Sequence, residues 1–323
     1  MNSRFPDKLP VGISQCLLGD NVRYDGSNKR SRVCTELLSQ HFDFIPVCPE
    51  MGIGMGAPRA AIHLRENLPD HSHKHSHTHP QNHRIRVVGR DNADFDVTEK
   101  LQTYAREKAV ELAHLCGYIF MDRSPSCGLA NVNIHQKDGR PTKHYTAGIY
   151  AREFIYRHPL LPVEEEGRLQ DSAIFENFVT RVYAWKRWND FLENELTQAG
   201  LQKFHARHKY LLMAQRPESY RRLGHIVALA HLRPLNQVTK DYAQEFMAAL
   251  EIISSPQRHA NVLQHLLGYF KHKLDSAGKQ ETLRLIEEYR QGHLQRSAPL
   301  ALLKQHLKNH PNDYLQHQVY LEL

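Results

Sequence analysis

Five cysteines stand in this chain of 323 residues, and three of them occupy positions suited to chemistry. Cys16 follows an apolar run over 11–14 that reads as a strand, and Cys48 follows a second over 42–47. Cys127 lies beyond a third run, over 117–121. Open parallel sheets collect their ligands beyond the carboxyl ends of the strands, so thiols distant in sequence can meet at one edge. Thiolates favour zinc or iron–sulfur clusters. A closed zinc site wants four ligands, usually from close Cys-x-x-Cys pairs, and the chain has none. Three thiolates on a [4Fe–4S] cluster leave one iron without a protein ligand, a Lewis acid open to soft sulfur. The plainer alternatives are three buried small hydrophobes, or one lone nucleophile. Cys34, on the apolar face of a helical pattern, and Cys116, beside Leu112 and Leu115, read as core residues.

The elements around these cysteines alternate. Residues 31–42 read as a helix with Val33, Cys34, Leu37, Leu38 and His41 on one face. Residues 85–88 read as a strand. A helix follows, with Asp96 as its cap, Glu99 completing a capping box and Gly117 as its stop. Strands alternating with helices predict a parallel α/β sheet. Beyond about residue 170 the strands disappear, and helical patterns recur over 175–196, 201–213, 226–232, 242–253, 262–270 and 281–291. The expected architecture is an α/β parallel-sheet N-terminal domain over 1–165 and an all-α C-terminal domain over 166–323. The breaker-rich, acidic stretch 159–167 joins them. A histidine-rich insertion, 69–83, interrupts the first domain. The alternating histidines from His71 to His79 suit nickel, copper or zinc, against the plainer reading of a solvated insertion bounded by Pro69 and Pro80.

The residues flanking the three cysteines are more informative than the spacing. Cys16-Leu17-Leu18-Gly19-Asp20-Asn21-Val22-Arg23-Tyr24-Asp25-Gly26 precedes Val47-Cys48-Pro49-Glu50, then Gly52, Gly54, Gly56, Pro58 and Arg59. Arg123-Ser124-Pro125-Ser126-Cys127-Gly128 completes the set. Together they resemble the thiouracil desulfurase (TudS) family over roughly residues 9–158. The resemblance implies that Cys16, Cys48 and Cys127 hold a [4Fe–4S] cluster whose fourth iron has no protein ligand and takes the substrate's sulfur. It places the acid/base carboxylate on Glu50 and the assisting serine on Ser124, with Ser126 close by as a substrate contact. These residue types suit the reaction on their own terms. Water must attack a thiocarbonyl carbon while sulfur leaves; a metal stabilises the departing charge and a carboxylate moves the proton. The glycines from 52 to 56 allow close backbone approach. Arg23 and Arg59 are candidate contacts to substrate phosphate, or structural arginines.

The second half carries most of the charge. Residues 1–165 hold 21 Lys+Arg against 19 Asp+Glu, and the remainder 21 against 16, within a formal total of +7. Lys203, Arg207, Lys209, Arg221 and Arg222 fall in one stretch with His205, His208, Tyr210 and Tyr220, a mixture that suits phosphate contact with base stacking. Taken alone, such a run is more commonly a solvated helix face. The stretch 204–214, with Tyr220 and Leu223-Gly224, resembles the helical domain fused to the desulfurase domain in tRNA 4-thiouridine desulfidases (RudS). That resemblance implies tRNA as partner and conversion of 4-thiouridine to uridine with release of hydrosulfide. The alternatives are desulfuration of free thiouracil or thiolated nucleosides, and a non-catalytic iron–sulfur RNA-binding or sensor protein. No run suits a transmembrane helix and the first residues lack a secretory signal's apolar core, so a reducing cytoplasm is expected, with no membrane partner.

Overall fold

A computed structural model describes residues 8–66 and 85–322; the histidine-rich insertion lies outside them. The chain divides into two compact units, one ending at Tyr183 and the other beginning at Ala184.

In the first unit, β1 (Leu9–Ser14) pairs parallel with β2 (Phe42–Val47), from Leu9 opposite Phe42 to Ser14 opposite Val47. The short α1 (Pro49–Gly52) follows β2. Two strands of a second sheet come next, β3 (Ile62–Glu66) and β4 (Ile85–Gly89), then α2 (Thr98–Glu111). β5 (Gly117–Phe120) pairs parallel with β1 on its other side, through Val11 opposite Gly117. After β6 (Val132–His135), β7 (Pro141–Thr146) and α3 (Ile149–Arg157), β8 (Val163–Glu165) closes the first sheet in the order β2-β1-β5-β8. β8 sits within the stretch expected to join two domains.

β1 and β5 read as near-continuous apolar runs because a central parallel strand is covered on both faces. Val11, Ile13, Tyr118, Ile119 and Phe120 are fully buried. The register brings the carboxyl ends of β1, β2 and β5 level, and the three loops carrying the candidate cysteines leave from there.

The second sheet, in the order β4-β3-β6-β7, was not legible in the sequence beyond residues 85–88, and that strand pairs antiparallel with β3 rather than joining the parallel sheet. Its core face carries Leu64, Val87 and Val132, packed with Val97, Leu101 and Ile149. Strand alternation leaves His63, Asn133 and His135 on the other face.

Three local expectations are corrected. Residues 31–42 are a wide π-type turn, Val33–Leu37, followed by a tight 3-10 turn, Leu38–Gln40, and Leu37 is 51% exposed instead of sharing the face of buried Cys34 and Leu38. Asp96 is drawn into an ion pair with Arg86 (2.6 Å); its carboxylate also accepts from the Thr98 amide, one position earlier than a capping box requires. Gly117 is the first residue of β5, since α2 ends at Glu111. Cys34 and Cys116 are both buried.

α4 (Ser172–Asn194) spans the division between the units. The second unit continues with α5 (Gln198–Arg207), α6 (Lys209–Gln215), α7 (Pro217–Ala228), α8 (Leu235–Leu250), α9 (Pro256–Gly268), α10 (Ser276–Arg290), α11 (Ser297–Asn309) and α12 (Asp313–Gln316). The pattern over 201–213 is two helices, broken at His208. Trp188 stacks on Tyr242 with ring centroids 5.4 Å apart, beside Phe204 and Phe246. A second apolar cluster gathers Tyr210, Leu263, Leu266, Phe270, Ile286 and Leu303. Among the described residues no helix is long and apolar enough to cross a membrane.

Candidate active site

Cys16 sits in a tight turn, Gln15–Leu18, directly after β1, and its carbonyl accepts from the amides of Gly19 (3.3 Å) and Lys29 (2.9 Å). Cys48 caps α1, whose Gly52 amide reaches back to the Cys48 carbonyl at 2.9 Å. Cys127 is held by two elements. The Ser124 hydroxyl accepts from the amides of Ser126 (3.2 Å) and Cys127 (3.1 Å), while α3 donates the Ile149 and Ala151 amides to the carbonyls of Pro125 and Ser126. Gly148 permits that docking, since a Cβ there would lie 2.5 Å from the Ser126 carbonyl.

All three thiols line one cleft of about 510 Å³. They are free cysteines. Burial pushes Cys16 up to about 11, with Cys48 adding to the effect and Arg23 opposing it. Burial raises Cys48 too, and it holds Cys127 well above the ordinary thiol range, with Glu50 and the other two cysteines contributing. The Ser14 hydroxyl, which accepts from the Met121 amide at 2.9 Å, hydrogen-bonds Cys127 and opposes that shift. Ser14 is a site residue that sequence reasoning passed over; its place at the end of β1 was the available signal.

Glu50 is clamped from two sides. Ser126 donates to Oε1 at 2.7 Å, and Arg59 pairs with Oε2. Ser126 is fully buried. The structure thus brings Ser126 to the carboxylate, while Ser124 organises the Cys127 turn. Arg59 also donates to the carbonyls of Val22 (2.8 Å) and Gly56 (2.7 Å). Its side chain is 4% exposed, so it ties the site together rather than reaching for substrate. Gly56 presents its carbonyl from a left-handed conformation, φ +72°, that favours glycine. Arg23 remains part-exposed, bonded to Ser27 at 3.1 Å, and faces the cleft with Lys29, Arg90 and Arg123. The second sheet adds His63 and His135, rings 4.7 Å apart, which the sequence did not single out as a pair.

Could these residues hold a metal group? Among the described residues no three His, Cys, Asp or Glu side chains are placed for a single metal ion. A cubane cluster asks for something different, because each thiolate binds its own iron and the three need only face one volume. The donor set fits that demand. Burial raises all three thiols, Cys48 raises Cys16 further, and both of these raise Cys127, so a cationic group makes their ionised forms favourable together.

In the second unit the expected RNA-contact residues part company. Lys203 and Arg207 line a common cavity. Lys209 lies over the Tyr210 ring at 5.2 Å, and Arg222 is bound to Glu245 and Ser219, whereas Arg221 is exposed. Tyr210 is buried, with its hydroxyl bonded to Tyr269 (3.1 Å), and Tyr220 stacks on His205 at 4.9 Å. His205 and His208 are buried rather than surface donors.

Comparison with known proteins fits this division. A family model described as 2-thiouracil desulfurase matches residues 11–166, and one described as a protein of unknown function (DUF1722) matches residues 209–323. The uncharacterised protein YbgA of Escherichia coli (strain K12) is 32% identical over 157 residues, spanning 48% of this chain and 90% of YbgA. A solved structure, a [4Fe–4S]-dependent thiouracil desulfidase TudS, is 27% identical, with a TM-score of 0.35, over 50% of this chain and 94% of that one. The chain thus joins a 2-thiouracil desulfurase domain, residues 11–166, to a DUF1722 domain, residues 209–323, and is a relative of YbgA.

Proposed function

We propose that the protein is a [4Fe–4S]-dependent desulfidase that converts 4-thiouridine in tRNA to uridine, working in a reducing cytoplasm. The observation that carries this reading is the meeting of Cys16, Cys48 and Cys127 in one cleft with a carboxylate, Glu50, clamped beside them. Bound there, a cluster with one iron unligated by protein supplies a Lewis acid for the leaving sulfur.

The chain's own residues do the rest. With the substrate bound as its ring-deprotonated thiolate, Glu50 takes one proton from the attacking water and returns it to that ring nitrogen, while the water's second proton leaves with the sulfur as hydrosulfide. Ser126 and Arg59 hold the carboxylate in one orientation, so little reorganisation accompanies the transfer. The sum is thiocarbonyl plus water giving carbonyl plus hydrosulfide and a proton, with no net change in electrons. Arg23, Lys29, Arg90 and Arg123 around the same cleft favour a substrate that carries phosphate over a free base.

The test uses full-length protein purified without oxygen. Bound iron and sulfide are measured first, and turnover is then followed on tRNA containing 4-thiouridine, on the free nucleoside and on thiouracil. Activity confined to the small molecules would overturn the tRNA assignment. An intact cluster with no turnover on any thiolated pyrimidine would favour a sensor, and full activity in Cys48→Ala or Glu50→Ala would remove the site itself.

A further inference from the structure

The unit that begins at Ala184 holds a cavity of about 290 Å³ between α4 and α5, lined by Arg187, Lys203, Arg207 and His208. His208 decides its chemistry. Nδ1 lies 2.7 Å from the Phe204 carbonyl oxygen, and since a carbonyl only accepts, Nδ1 carries the hydrogen. Burial, aided by the charges of Arg187 and Arg207, holds the ring well below the ordinary histidine range and therefore neutral. Nε2 is then a lone-pair acceptor. It is buried and has no hydrogen-bond partner among the described residues. The ring cannot easily turn to find one, because Phe204 stacks on it at 4.0 Å and Phe246 meets it edge-on at 5.2 Å. An orphaned buried acceptor is costly, so a donor from outside is the natural complement.

The surroundings specify what else that donor carries. Two carboxylates reach the cavity, but Asp190 is paired with Lys186 and Glu195 lies 3.7 Å from Lys203. Arg187 meets Glu322 at 2.6 Å. The lining still sets three cations, Arg187, Lys203 and Arg207, against those two carboxylates, so positive charge lies next to a neutral acceptor. A fitting ligand presents an anion and, beside it, a hydroxyl. A ribose 3′-phosphate does so, because its 2′-hydroxyl adjoins the phosphate; a deoxyribose phosphate lacks the donor.

We propose that this cavity is a ribonucleotide subsite in which Arg207 and Lys203 hold a phosphate and His208 Nε2 accepts the neighbouring 2′-hydroxyl. The subsite deepens the RNA reading by stating how the helical unit distinguishes RNA from DNA, and rests on that reading only for RNA as the source of the ribose phosphate.

The test measures binding by fluorescence anisotropy, with the full-length protein and an unmodified tRNA transcript, so that sulfur chemistry plays no part. DNA of the same sequence and a 2′-fluoro RNA, which keeps the RNA helix form but lacks the donor, are the comparisons. Uridine 3′-monophosphate is the competitor. RNA should bind about 5-fold more tightly than either analogue, the effect of one hydrogen bond. His208→Phe should erase that ratio while leaving DNA binding unchanged, and Arg207→Gln should weaken RNA and DNA alike. Competition by the mononucleotide at concentrations below those needed for RNA would support the subsite with a free nucleotide as its source. Equal binding of RNA and 2′-fluoro RNA by the wild-type protein overturns the subsite, and that comparison stands even if His208→Phe fails to fold. Discrimination without desulfuration would sink the enzymatic reading alone.

Discussion

Ser126 donates to Glu50 across 76 positions of sequence, at 2.7 Å, in a spot where its own side chain is fully buried. The neighbouring Ser124, two residues away, spends its hydroxyl on the amides of Ser126 and Cys127. The two serines therefore fail in different ways when removed. Ser126→Ala should lower kcat by roughly 10-fold, the cost of one hydrogen bond to a charged group, with KM and iron content near wild type. Ser124→Ala should lower iron content first, because the Cys127 turn loses its organiser. Matching iron losses in both variants would contradict this division of labour.

Arg59 links the carbonyls of Val22 and Gly56 to Glu50 from a side chain only 4% exposed. Breaking a buried pair by removing one partner costs about 3–5 kcal/mol, since the other charge is left without compensation. Arg59→Met should depress the melting temperature and abolish activity, and Arg59→Lys should recover little of either, because an ammonium cannot span three acceptors in a planar fork. Thermal melts alongside turnover check both. A stable, inactive Arg59→Met protein would instead make Arg59 a substrate contact.

Gly148 is absent from the three cysteine motifs, yet a side chain there would press on the Ser126 carbonyl at 2.5 Å and the Cys127 amide at 2.9 Å. Gly148→Ala should displace the Cys127 loop from α3, at a cost of about 1–3 kcal/mol. The expected result is reduced cluster content in a protein whose helical unit is unchanged by circular dichroism. Normal iron content would show that the loop has room to give.

His205 and His259 are buried in the helical unit, bonded through Nδ1 to the hydroxyls of Tyr242 (3.1 Å) and Tyr320 (2.9 Å). Burial brings His205 down to about 4; burial, with Arg296 adding to it, brings His259 down to about 3. Their ordinary value is 6.5, so below that pH the unfolded chain binds more protons than the folded one and stability falls. The loss runs from 6.5 down to about 4 for His205 and about 3 for His259, and each contributes at most about 1.4 kcal/mol per pH unit. Melting temperatures should be level above about pH 7 and decline steadily as pH falls from about 6 towards 4. His259→Phe should flatten the profile, and a wild-type profile already flat over that range would refute the assignment.

What the sequence determined by itself was whatever local pattern controls. Apolar runs such as those of β1 and β5 must be covered on both faces, so the sheet was legible, and with it the edge where Cys16, Cys48 and Cys127 leave their strands. Helical periodicity likewise marked most of the second unit. The rest followed from contacts between distant segments. β7, Pro-Thr-Lys-His-Tyr-Thr, has no apolar alternation and owes its order to the ladder with β6. Tyr210 looked free to stack on a base until α6 packed it into a core, and Arg59 looked free for phosphate until the folded loops offered it Glu50 and two carbonyls. Which serine meets Glu50, and why residue 148 is glycine, depend on contacts between segments far apart in the chain, where spacing along the sequence carries no information about distance in space.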